Sequence, residues 1–292
     1  MASILAVGIA TLDIINSVDG YPAEDAEVRA TAQRICRGGN ATNTLAVLSQ
    51  LGHHGAWAGV LVDDPDARHI TADLARHRID TSAVVKLSHG KSPTSYILHN
   101  SRNGSRTIVH YRDLPEYPTS AFSALDLSTY HWLHFEGRNV AETRQMMAAA
   151  RRHRPKLPCS LEIEKERPDI DQLIGLADVV IFSRPFAIGR GYAGATAFLL
   201  NIQKQASRSL LICSWGEDGA YALDRDGGLH HSPAFPPSQV VDTLGAGDTF
   251  NAGVIDACLQ GLQPPAMLRH ACQLAGQKCG HPGLDFINLT SR

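Results

Sequence analysis

Long apolar runs are missing from this 292-residue chain, and so is any surplus of charge: 27 Lys and Arg stand against 29 Asp and Glu. The longest apolar stretches, such as Val179 to Phe182, fall far short of the roughly 18 residues that cross a bilayer, so no membrane-spanning helix is expected. The charge balance argues against a broad electrostatic surface for nucleic acid, and aromatic residues at 6%, not interleaved with basic clusters, offer no base-stacking platform. Any anionic ligand must be held by a local site. The six cysteines (Cys36, Cys159, Cys213, Cys258, Cys272, Cys279) include no CxxC pair, which fits reduced thiols better than disulfides or zinc. Among 14 histidines, His53-His54 and His230-His231 are adjacent pairs, and His131 and His134 fall on opposite faces of a strand, so no zinc spacing emerges. Met1 to Gly8 has no basic region, and Asp13 interrupts the apolar stretch that follows. A secretory signal is therefore not expected, and a cytoplasmic location is.

What is present is a rhythm. Ile4 to Ala10 reads as a buried strand, Ala41 to Leu51 as a helix closed by Gly52, Trp57 to Val62 as a strand and Ile70 to His77 as a helix. Strands at His131 to Glu136, Cys159 to Glu164, Val179 to Ser183 and Leu210 to Ser214 continue the alternation, as in a parallel sheet covered by helices. Two stretches break the rhythm. Ile14 to Ile35 reads as short strands and turns, and Thr94 to His99 with Arg106 to Tyr111 flanks Asn103-Gly104, a strong hairpin signal. Together they suggest one small sheet, whose second face must be covered by substrate, by the core or by another subunit. The expected division is a core of 1–13, 36–91 and 113–292 with a β lid of 14–35 and 92–112.

The most informative stretch is VVDTLGAGDTFNAG, Val240 to Gly253. Phe250, Val254, Ile255 and Cys258 recur at helical spacing, so Gly245-Ala246-Gly247 is a turn into a helix N-terminus. Such a turn presents unpaired N–H groups and a positive dipole end, a site for phosphate. Asp248 repels an anion, and makes chemical sense there if it takes a proton from a hydroxyl attacking phosphorus. Its plain alternative is a first-turn Asp favoured by the dipole. A Walker loop is excluded because Val85 stands where the glycine before Gly90-Lys91-Ser92 would be needed. A dinucleotide fingerprint fails because Phe250 replaces its third glycine. Arg37 to Asn43, RGGNATN, sets Asn40 and Asn43 three apart at a helix start, where amides suit a polyhydroxylated ligand, unless Asn40 simply caps the helix. Asp13, read at the end of the first strand, lies where ligands gather in open α/β sheets.

These stretches, with SRTIVHYRD (Ser105 to Asp113), HFEGRN (His134 to Asn139), LEIEKERP (Leu161 to Pro168), CSWGEDGA (Cys213 to Ala220) and GQKCG (Gly276 to Gly280), resemble the ribokinase-like carbohydrate kinase family over nearly the whole chain. The combination of DTLGAGDTF with HFEGRN points to its ketose kinases, which act on the 1-hydroxyl of fructose. The resemblance implies a three-layer α/β/α core with a small β-sheet lid. It also implies ATP with Mg²⁺ as cofactor, Asp248 as catalytic base, and Gly245, Ala246 and Gly247 as the anion hole. By the same likeness Asp13, Gly39, Asn40 and Asn43 bind sugar hydroxyls, and Glu136 and Arg138 line the site. Arg106 reaches the nucleotide phosphates, while Trp215, Gly216, Glu217, Gly219, Ala220, Phe250 and Cys279 border the nucleotide. Asp25 reaches a neighbour's sugar site in a homodimer clasped through the lid. Potassium is held by main-chain oxygens near Asp242, Thr243 and Gly280. One departure stands out: Ser183-Arg184-Pro185-Phe186 lacks the Glu of the family's Asn-x-x-Glu motif, which leaves Glu162 and Glu164 as candidate partners for magnesium. The rival readings are a kinase of another sugar, sugar derivative or nucleoside, and a catalytically silent sugar or nucleotide sensor.

Overall fold

The apolar runs read as buried strands find neighbours in one large sheet, apart from the second half of Trp57 to Val62. The computed structural model describes residues 1–287, so the last five residues of the expected core segment lie outside the described ones. The first half of the chain contains β1 (Ser3–Val7), β2 (Thr11–Val18), β3 (Ala32–Gly38), α1 (Asn40–Gln50), β4 (His54–Ala58), β5 (Val60–Val62), α2 (Pro65–Arg76), β6 (Val85–Leu87), β7 (Lys91–Asn100) and β8 (Arg106–Asp113). Then come α3 (Thr119–Ser123), β9 (Trp132–Glu136), α4 (Val140–His153), β10 (Cys159–Ile163), α5 (Asp171–Ile174), β11 (Val179–Ser183), α6 (Arg184–Gly189) and α7 (Ala195–Ile202). β12 (Leu210–Ser214), β13 (Ala220–Leu223), β14 (Leu229–Ser232), α8 (Ala246–Leu259) and α9 (Pro264–Cys279) complete the order.

The large sheet runs β14-β13-β12-β11-β10-β9-β1-β4, parallel from β4 through β12, with β13 and β14 antiparallel at the edge. Its strands are apolar nearly throughout because both faces are covered. Met146, Phe186 and Phe198 pack on one face, and Leu45, Ile70, Val254 and Leu268 on the other. Helix, sheet and helix make three layers, the α/β architecture expected from the alternation.

A second sheet, ordered β3-β2-β7-β8, stands apart. The hairpin β7–β8 turns at Asn103-Gly104, and β2 joins it in parallel, with Asp13 beside Ser95. Three local readings need correction. Asp13 does not end the first strand: β1 stops at Val7, and Asp13 is the third residue of β2 in the small sheet. The small sheet's strands overrun the expected boundaries, taking in residues 11–18, 32–38, 91–100 and 106–113, because ladder pairing continues past the turn residues that suggested those limits. The strand read from Trp57 to Val62 is broken at Gly59, and its second half pairs with β6 in a separate two-stranded sheet. Ile35, Tyr96, Ile108, Val109 and Tyr111 leave the small sheet with exposed apolar side chains.

The segment that leads into α8 is held against α9 by close backbone approach. No strand forms at Val240-Val241; instead the N–H groups of Val241 and Asp242 donate to the Cys279 carbonyl at the end of α9. Further along α9, the carbonyl of Phe235 occupies the place where a Cβ on Gly276 would sit. An exposed Gly→Ala change in a helix gains about 1 kcal/mol. Here the sign reverses: Gly276→Ala is expected to lose about 1–3 kcal/mol through overpacking, seen as a lower urea midpoint at unchanged slope.

Candidate active site

α8 begins where a left-handed glycine ends the irregular segment from Pro236 to Leu244. Gly245, at φ 80°, is its N-cap, a conformation that side-chain-bearing residues avoid. The N–H of Ala246 donates to the Thr243 carbonyl. Those of Gly245, Gly247 and Asp248 have no acceptor among the described residues. A Cβ on Gly247 would meet open space. Unpaired N–H groups at the positive end of a 14-residue helix are of the kind that suits an anion.

That helix end opens into a cleft of about 630 Å³ between the large and small sheets. Asp13, Gly39, Asn40, Asn43, Arg106, Arg138, Thr243, Gly245, Gly247 and Asp248 all line it, with Gly216 from the far side. Asp248, in the first turn of α8, is buried, and burial pushes its carboxyl up to about 7. An amide hydrogen bond opposes the shift, since Asn43 Nδ2 donates to Asp248 Oδ2 at 2.7 Å. Glu164 and Glu136 add to the rise, and Arg37 counters it. Such a group near neutrality suits proton transfer.

Around it the sheet ends supply further groups. Asp13 accepts from Thr11 Oγ1 at 2.7 Å, and its carboxyl is raised, burial being the main cause. Asn40 does not cap α1: Gly39 holds the N-cap, and the Asn40 amide donates to Glu162 at 3.1 Å and Glu164 at 3.3 Å. Glu136, at the end of β9, is buried beneath the cleft. It accepts from the N–H groups of Ala41 at 2.7 Å and Ile9 at 3.2 Å, fixing the start of α1 against the sheet. Arg138 lies 3.6 Å from Glu136 and 3.3 Å from Glu116. Arg106, from β8, donates to Thr243 Oγ1 at 3.1 Å and so ties the small sheet to the glycine turn.

The other sequence candidates sit elsewhere. Trp215 is buried with the Arg184 guanidinium over its ring at 5.7 Å. Glu217 is exposed, Gly219 is buried and Ala220 is buried in β13. Phe250 points into the apolar layer beneath α8, and Cys279 ends α9. Asp25, at φ 62° on an exposed loop, does not line the cleft of its own chain. The main-chain oxygen of Asp242 accepts from the buried Lys278 ammonium at 2.7 Å. The Asp242 carboxylate is engaged by Arg34, Gly283 N–H and Leu244 N–H. These contacts fix the segment that leads into the glycine turn. Composition and motif reading also pass over Lys165, Arg167 and Arg184, which line the cleft as cations. The segment noticed for its missing Glu supplies one of them.

Residues 1–291 match the pfkB family carbohydrate kinases. Ketohexokinase of Mus musculus is 43% identical over 292 residues, covering 97% of this chain and 98% of its own. Fructosamine kinase FrlD of Bacillus subtilis (strain 168) is 24% identical, over 83% and 84% of the two chains. Among solved structures, ribokinase from Giardia lamblia superposes with a TM-score of 0.82 at 14% identity, covering 97% of this chain and 96% of that one. Arabidopsis thaliana ribokinase complexed with ribose and ATP gives 0.77 at 17% identity, over 97% and 93%. At those identities the structures show the shared fold, and the family match together with the 43% relative shows more: the chain belongs to the pfkB family of carbohydrate kinases and is an ATP-dependent carbohydrate kinase.

Proposed function

We propose that the protein transfers the γ-phosphoryl group of ATP to the 1-hydroxyl of a ketose such as fructose, with Asp248 as general base and the Gly245 to Gly247 turn as anion hole. The observation that carries this reading is a buried carboxyl raised to about 7 within one turn of N–H groups that lack internal acceptors. The 43% likeness to a ketohexokinase supports the choice of ketose. The sugar hydroxyl gives its proton to an Asp248 carboxylate oxygen as its own oxygen bonds to the γ-phosphorus. The bond from that phosphorus to the β–γ bridging oxygen breaks, and its electron pair leaves with ADP. Charge gathering on the transferred group meets the N–H groups of Gly245, Gly247 and Asp248; a preorganised donor of this kind is typically worth about 100- to 1000-fold in rate.

Asp13 orients the sugar from the small sheet, and Gly39, Asn40 and Asn43 do so from the start of α1. Arg106, Lys165 and Arg184 supply the local positive field that the nearly neutral chain lacks globally. No group of three or more His, Cys, Asp and Glu able to hold a metal exists among the described residues. Two carboxylates do converge, since the Asn40 amide lies within hydrogen-bond reach of both Glu162 and Glu164. That pair fits magnesium, which takes one or two carboxylates and completes its shell with water and phosphate. When bound, the ion neutralises phosphate charge. A homodimer clasped through the exposed apolar face of the small sheet, with Asp25 entering the partner's sugar site, completes the reading, in a cytoplasmic setting.

Arg106→Ala is expected to raise the KM for ATP about 10-fold or more, the usual worth of a charge-assisted hydrogen bond, while the KM for sugar moves less. An unchanged KM for ATP removes Arg106 from nucleotide binding. Saturable sugar binding in calorimetry without ADP formation would favour a sensor over a kinase.

A further inference from the structure

We propose that Arg37 is a positioning residue for phosphoryl transfer, acting on Asp248 through the amide of Asn43. The inference rests on the reading of Asp248 as the base. Arg37 is the penultimate residue of β3, just before Gly38 and the Gly39 N-cap of α1, and its side chain is almost completely buried, at 2% exposure. A guanidinium has donors only, and the recorded contacts of this one all go to named oxygens. Nε donates to Asp73 Oδ2 at 2.6 Å, and Nη1 to Thr42 Oγ1 at 3.0 Å and Asn43 Oδ1 at 2.7 Å.

The last contact settles a choice that an amide otherwise leaves open. Both ends of an Asn side chain are similar in shape, and the hydrogen-bond network decides which is oxygen. Because Arg37 can only donate, the Asn43 oxygen must face it, and the NH₂ must face Asp248, where Nδ2 donates to Oδ2 at 2.7 Å. A reversed amide would set oxygen against carboxylate at one end and NH₂ against guanidinium at the other. Arg37 thereby holds the carboxylate's orientation from behind, leaving its other oxygen to the acceptor hydroxyl.

The chain runs through four elements: Asp73 on α2, Arg37 on β3, Asn43 on α1 and Asp248 on α8. Asp73 is itself fixed, accepting from Arg76 at 2.6 Å, with His77 3.9 Å away. The other charges around Asp248, namely Glu136 from β9 and Glu162 and Glu164 at the end of β10, are carboxylates. They repel it, and among the described residues the Asn43 amide is the one side-chain hydrogen-bond donor to the Asp248 carboxylate.

The test is a double-mutant cycle on the full chain with saturating sugar and ATP. Arg37→Met is expected to lower kcat about 10- to 100-fold, the scale of a misplaced catalytic group, with the KM for ATP within about twofold. Arg37→Lys, which retains the charge and a single donor nitrogen, should recover part of the loss. In an Asn43→Ala background, removing Arg37 should change kcat by less than about threefold, because residues acting through one contact are non-additive. Losses that multiply independently, or a lower melting temperature with unchanged kcat per folded molecule, overturn the proposal. If Arg37→Met does not fold, Asp73→Asn carries the same cycle, with an expected loss of about 3- to 10-fold that also disappears with Asn43→Ala. Asp248→Asn separates the two readings. An active Asp248→Asn defeats the base assignment, whereas an inactive Asp248→Asn beside a fully active Arg37→Met defeats only the positioning role.

Discussion

Asp248→Asn binds sugar and ATP but loses at least about 100-fold in kcat, the lower range for a general base. The amide keeps the shape and can still accept from Asn43, so binding is retained while the proton acceptor is gone. The same substitution should stabilise the protein. Burial raises the folded-state pKa of Asp248 from 3.8 to about 7, so the ionised carboxylate is disfavoured by folding. Stability is therefore lost as pH rises from about the unfolded value through 7. At pH 8 the variant should exceed the wild type by roughly 2 kcal/mol or more, a difference that shrinks towards pH 4. Turnover has the opposite dependence: kcat of the wild type should rise with pH through the neutral region as the base ionises. A variant with near-normal turnover, or a wild-type rate that is flat between pH 5 and 8, would contradict the assignment. Urea unfolding at both pH values, beside stopped and coupled assays, supplies the measurements.

Lys278→Met should be the most destabilising single change near the site, by about 3–5 kcal/mol, the usual penalty for removing one partner of a buried ion pair. The Lys278 side chain is wholly buried in the last turn of α9. Its ammonium donates to the Asp242 carbonyl at 2.7 Å and to the His281 carbonyl at 3.4 Å, and lies 3.4 Å from the Asp242 carboxylate. It joins the end of α9 to the segment that leads into the glycine turn. The Asp242 carboxyl is held down to about 2: burial alone would raise it, but Gly283 N–H, Lys278 and Arg34 outweigh that. A depressed folded pKa gives stability that is present above 3.8 and lost as pH falls towards 2, and this acid-side slope should become shallower in Lys278→Met. Arg34→Met is the control. Arg34 pairs with the same carboxylate at 2.8 Å but is 36% exposed, so its removal should cost about 1 kcal/mol or less. Equal losses from the two variants would deny the buried ammonium its special part.

The sequence was most legible where the governing physics is local. The start of α8 at the glycine turn, the closing of α1 before Gly52 and the runs Val179–Ser183 and Leu210–Ser214 all follow from apolar period and glycine placement within a dozen residues. What it left unread depends on distant partners. Asp13 looked like a strand-end residue because β1 and β2 are separated by only three residues, and only the pairing of β2 with β7, some eighty positions away, assigns it to the small sheet. Nothing local pairs Arg37 with Asp73, or Lys278 with Asp242, and only folding brings them to 2.6 and 2.7 Å. The candidate residues of the glycine turn and of RGGNATN came together in one cleft. Phe250, Ala220 and Trp215 stand behind it, since neighbouring a motif does not decide which face of a helix or strand a residue occupies.

The most direct test of the central claim is ADP release by the purified protein with Mg²⁺, ATP and a panel of sugars, with the phosphorylated product identified by nuclear magnetic resonance. The account predicts saturable, stoichiometric ADP formation with fructose and phosphate on its 1-hydroxyl. No turnover with fructose while another acceptor is phosphorylated, or fructose phosphorylated at a different hydroxyl, would contradict it.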